Sequence, residues 1–136
     1  MKKFMAVVLV CICVWGIVGC NQQPQQVQGK QLLVDGNVIK IDVSSHPEGY
    51  NYSFDGENAK AIIDYLSNLN LDSNFEENPD EYVGMAWVIS IKYESGGTVT
   101  VWHSANKFIR TVNGPWYKMT YEEASRFDAL LNELGD

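Results

Sequence analysis

Basic side chains are scarce in this chain: ten lysines and arginines stand against seventeen acids in 136 residues, a net charge of −7. With no basic stripe to neutralise phosphates, the composition argues against nucleic acid as a partner. Cysteine is rarer still, at three, and all three lie within the first twenty residues (Cys11, Cys13 and Cys20). Only His46 and His103 supply imidazole, and neither sits in a spaced motif such as H-E-x-x-H. A phosphate-binding glycine loop and a G-x-S-x-G elbow are both missing. What is present is ample apolar material, 46% of the chain, enough for one domain and too much for wholesale disorder.

The N-terminus is patterned differently from the rest. Lys2 and Lys3 form a short positive head, and Phe4 to Val18 is an uncharged apolar run, followed by Gly19, Cys20 and the polar Asn21-Gln22-Gln23. Basic head, apolar stretch and small residue at the cut make a secretory leader over residues 1–19. The run falls short of the roughly 20 residues that span a bilayer, and an uncleaved anchor is the alternative. Ile17-Val18-Gly19-Cys20 resembles the lipobox of bacterial lipoproteins, although Ile17 stands where Leu is commoner. The resemblance implies that the Cys20 thiol is diacylglycerylated and becomes the mature N-terminus. Two lysines and no acid leave with such a leader, so ten basic side chains fall to eight against seventeen acids and the net charge becomes −9. The mature chain then holds no second cysteine, which excludes an intramolecular disulfide, a catalytic thiol and a cysteine zinc site. Attachment to the membrane rests on acyl chains, each buried methylene contributing about 0.8 kcal/mol.

Cys20 to Gln31 is glutamine-rich and reads as a flexible tether, with a single domain over 32–136. Leu32–Val34 and Val38–Val43 are β-rich runs around Asp35-Gly36-Asn37, a hairpin signal. Ser44 to Phe54 reads as loop with a short extended piece near Tyr50–Tyr52. Asp55 can cap a helix whose apolar positions are Ala59, Ile62, Ile63, Leu66 and Leu69. Beyond an acidic loop, Met85, Trp87, Ile89, Ile91 and Tyr93 alternate as in a half-buried strand. Strands follow over Thr98–His103, Phe108–Val112 and Pro115–Met119, with Pro115 loosening the turn that Asn113-Gly114 begins. Thr120-Tyr121-Glu122-Glu123 is a capping box that opens a last helix. The order predicts an α+β fold, an antiparallel sheet of about five strands with two helices packed on one face.

Candidate sites follow from these elements. His46 or His103 with carboxylates would make a small secreted hydrolase, yet isolated histidines are more often structural or solvated. Asp72, Asn74 and Glu76 offer hard oxygen ligands for calcium, but Glu77 stands where the EF-hand turn needs glycine, which favours a solvated acidic loop. Asn51-Tyr52-Ser53 spells a glycosylation acceptor, which reads as chance in a bacterial-type lipoprotein. If Trp87, Ile89, Ile91, Val99, Val101, Ile109, Tyr117 and Met119 face the helices, alternation sends Ser90, Lys92, Thr98, Thr100, Trp102, Arg110, Trp116 and Lys118 the other way. Trp102, Arg110, Trp116 and Lys118 would then form a platform for a cell-wall glycan, a peptide or a protein. The competing reading places the tryptophans inside through a one-residue register error.

Glu77–Met85, Asn113–Ala124 and the strand Ile39–Val43 together resemble a group of uncharacterised small lipoproteins of clostridia-like Gram-positive bacteria. That group brings no activity, cofactor or catalytic residue with it. The sequence thus predicts a membrane-anchored, extracytoplasmic protein with a non-enzymatic binding or accessory role and no cofactor. A hydrolase and an inhibitor or immunity-type lipoprotein are the alternatives.

Overall fold

The computed structural model describes residues 26–136. The leader, Cys20 and Asn21–Gln25 lie outside the described residues. The protein is α+β, with one antiparallel sheet and two α-helices, but the sheet has eight strands rather than about five. They are β1 (Gln26–Gln28), β2 (Val38–His46), β3 (Asn51–Phe54), β4 (Asn70–Asp72), β5 (Ala86–Tyr93), β6 (Thr98–Ser104), β7 (Phe108–Thr111) and β8 (Tyr117–Lys118). The helices are α1 (Gly56–Ser67) and α2 (Tyr121–Gly135). Across the sheet the strands run β1-β4-β8-β7-β6-β5-β2-β3. The N-terminal half therefore builds both edges, α1 carries the chain from the β3 edge back toward β1, and the meander β5–β8 fills the middle.

Three expectations are corrected here. The glutamine tether stops sooner, because Gln26–Gln28 pairs with Asn70–Asp72 as an edge strand and Gly29–Leu32 forms a 3₁₀ turn. Gly29 can pass close to α1 because it lacks a side chain: a Cβ there would sit 1.8 Å from Leu66 O. The hairpin expected at Asp35-Gly36-Asn37 is absent, since Leu32–Val34 is not a strand and β2 pairs instead with β3 and β5. β2 also runs on to His46, through residues read as loop, because β5 supplies partners as far as Ala86.

The core lies between the inner sheet face and the helices. Register aligns Ile41 with Ile91 and Phe54, Val43 with Ile89 and Tyr52, and Ile89 with Val101. All of these but Tyr52, which packs against the cluster half-buried, join one buried cluster with Ala59, Ile62 and Leu66 of α1 and Ala124, Phe127 and Leu131 of α2. Tyr65 stacks on Phe127, ring centroids 5.5 Å apart, and its hydroxyl donates to Glu123 O at 2.7 Å, tying helix to helix. The capping box at Thr120 and Glu123 is formed as the sequence predicts. Asp55 does take the N-cap position of α1, but its carboxylate makes no capping bond. Among the described residues no helix is long and apolar enough to cross a membrane.

Candidate functional site: the outer sheet face and a carboxylate cleft

Strand pairing settles which way each side chain of the meander points. Trp102 pairs with Val88 and Arg110, Ser90 with Thr100, and Phe108 with Lys118, all on the face away from the helices. The alternation read from the sequence therefore places Trp102, Arg110 and Lys118 as expected, and Trp116, one residue before the inward Tyr117, goes with them. All four are half-buried. Arg110 lies with its guanidinium carbon 4.4 Å from the Trp116 ring centroid, a cation–π stack. Trp102, Arg110 and Trp116 thus form a ledge across β6, β7 and the approach to β8. Arg110 Nε and Trp116 Nε1 are buried and, among the described residues, have no hydrogen-bond partner.

The acidic segment keeps Asn74, Glu76, Asp80 and Glu81 exposed, as a solvated loop would, but it is also pinned to the sheet by its aromatic residues. Phe75 and Tyr82 fold over the outward Phe108, with ring centroids 5.5 and 5.3 Å away, and Trp116 meets it edge-on at 6.3 Å. Phe108 is fully buried as a result. Lys118 is drawn into this roof through a 2.7 Å ion pair with Glu77 and is not presented freely on the platform. Farther along the outer face, Asp42 accepts from Lys92 at 2.8 Å and Ser53 at 2.8 Å and lies 3.3 Å from Lys40. The Lys92 bond, then that from Ser53, pull its carboxyl from 3.8 down to about 2.

The calcium candidates do not converge. Asp72 Oδ1 accepts from Asn74 N at 2.8 Å, an Asx turn, and no group of three or more His, Cys, Asp or Glu side chains gathers among the described residues. The histidines are separated by the sheet. Ser45, Trp87 and His103 share an inward row, while His46 belongs to the next row with Ala86 and Ser104 and faces outward. His46 borders a recess of about 440 Å³ with Ser44, Glu48 and Tyr50.

His103 has a partner set that no spacing announces. It is 1% exposed, and its Nδ1 lies 3.2 Å from Phe108 O. A carbonyl only accepts, so Nδ1 carries the hydrogen. Nε2 faces Asp128 Oδ1 at 3.4 Å without forming a hydrogen bond, while the same oxygen accepts from Trp87 Nε1 at 2.9 Å. Asp128, on α2, lines a cleft of about 420 Å³ with Tyr82, Val83, Met85, Asn106 and Asn132. In the sequence Asp128 is one acid among seventeen, and only the chain's return through α2 sets it against Trp87.

No family model matches the chain, and neither does any curated protein or solved structure.

Proposed function

We propose that the chain is a lipoprotein of the bacterial envelope, anchored through acylated Cys20 on the extracytoplasmic face of the membrane, whose folded part is a non-enzymatic binding module. Support for the anchor is the lipobox-like Ile17–Cys20 after an apolar leader. The observation that carries the binding reading is the Trp102–Arg110–Trp116 ledge, large rings and a guanidinium kept on the face that the core does not use. Indole faces stack on the C–H faces of sugar rings, and Ser90 and Thr100 beside them offer hydroxyls for hydrogen bonds. A cell-wall glycan strand suits that mixture. His103 is too enclosed to serve as a general base on a substrate, which weighs against a hydrolase built on that residue.

Trp102 is the clean probe, because removing Trp116 would also uncover Phe108. Titrating soluble cell-wall glycan fragments into the full chain in detergent micelles should shift amides around Trp102, Arg110 and Thr100. Trp102→Ala should weaken binding about thirtyfold, as for a central aromatic anchor, with little change in the urea midpoint. Shifts confined to other surfaces would overturn the reading. Mass spectrometry of native material should find Cys20 at the N-terminus bearing a thioether-linked diacylglycerol, and an intact Met1 terminus would remove the anchor.

A second reading, a module that blocks a protein partner, is favoured by the apolar tip beside the Asp128 cleft. Val83 is 101% exposed and Met85 is 42% exposed. Stoichiometric capture of one protein, lost on Val83→Asp, would favour it over glycan binding.

A further inference from the structure

The cleft between the Tyr82–Met85 segment, the β6–β7 turn and α2 has one carboxylate among its lining residues, Asp128. That carboxylate is 22% exposed and, among the described residues, is held from one side: Oδ1 takes the Trp87 indole hydrogen, with buried His103 Nε2 3.4 Å away and making no hydrogen bond to a described residue. Among the described residues nothing engages Oδ2. Asn106 and Asn132 line the same cleft with side-chain amides, whose oxygens can accept, and Tyr82, Val83 and Met85 give it an apolar rim. Lys107 stacks on Tyr82, 5.1 Å from its centroid, and is not a lining residue.

We propose that this cleft binds a primary ammonium group carried on a short apolar stem, as in an alkylamine or a lysine side chain. The carboxylate supplies the counter-charge, the two amide oxygens suit the remaining N–H donors, and the rim covers the stem. An ammonium fits better than a guanidinium. A guanidinium fork binds carboxylate best through both oxygens at once, and Trp87 already occupies Oδ1. The site is separate from the Trp102 ledge, so either can fail without the other.

The test is a titration of the full chain in detergent micelles, following the Trp87 indole N–H and the side-chain amides of Asn106 and Asn132. The probes are n-pentylammonium, Nα-acetyl-lysinamide, n-pentylguanidinium, n-pentanol and pentanoate. Pentylammonium should give saturable shifts with a Kd on the order of 1–10 mM, as expected of a fragment this small. The guanidinium should bind more weakly, and the alcohol and the acid should not saturate. Binding of the lysinamide as well would point to a peptide-borne lysine, and its failure beside pentylammonium to a free amine. Asp128→Asn should cost at least about tenfold in affinity while keeping an acceptor for Trp87. Pentanol or pentanoate binding as well as the amine, or guanidinium binding more tightly, overturns the proposal. Unaltered affinity in Asp128→Asn does so too, and if that variant fails to fold, the comparison among probes on the unaltered chain decides.

Discussion

On the outer face of β2, Asp42 gathers donors from three strands: Lys92 of β5, Ser53 of β3 and Lys40 of its own strand. With its carboxyl lowered to about 2 from 3.8, the folded state binds this proton less readily than the unfolded chain. Its stabilisation is therefore complete above about pH 4 and fades as the pH falls through 2. The side chain is about a third exposed, so the network is screened and its worth is modest. Asp42→Asn should lower stability by about 0.5–1 kcal/mol at pH 7. Urea unfolding at pH 7 and at pH 2.5 checks this: the gap between variant and parent narrows at the lower pH. A gap that widens on acidification would mean that Asp42 is not held ionised by these donors.

Among the elements, the strap over Phe108 divides what sequence patterning can reveal from what it cannot. The period-two alternation of Trp87–Tyr93 and the capping box at Thr120 are local signals, and β5 and α2 follow from them. The same alternation placed Trp102 and Arg110 outward. Phe108 carries no such signal, because its burial depends on Phe75 and Tyr82, about thirty residues earlier, folding back across the sheet. Asp128 was hidden for the same reason, since its hydrogen-bond partner Trp87 is 41 positions away. Three-residue strands such as β4 have too few positions for a pattern. Phe108→Ala should remove the anchor of the strap and cost about 3–5 kcal/mol, as for other buried phenylalanines. Limited proteolysis should then cut between Phe75 and Met85 well before the rest of the chain unfolds. Cleavage starting in β5 or α2 instead would show that the strap is held by something other than this ring.

At the scale of the molecule, β1 decides how short a link could join the sheet to Cys20. A tether ending at Gln31 would leave β1 out, yet β4 has three partners in β1 and one, Lys118, in β8. Gly29 N also donates to Leu69 O at 2.8 Å, just past the end of α1. A chain starting at Leu32 loses these bonds and exposes Leu71, a core residue, at a new sheet edge. It should be less stable than a chain starting at Gln26 by about 2–4 kcal/mol, counting the lost hydrogen bonds and uncovered apolar surface. Gly29→Ala in the longer chain should approach the same loss, because the added methyl meets backbone rather than a movable side chain. Urea midpoints of the three proteins make the comparison, and equal midpoints for the two starting points would return β1 to the tether. In sequence, Asn21–Gln25 alone separate β1 from Cys20. Even fully extended, that span reaches about 20 Å. An acylated Cys20 would therefore hold the β1 edge close to the lipid surface. The Trp102 ledge lies several strands away across the sheet, so the proposed anchor and the proposed binding face would not compete.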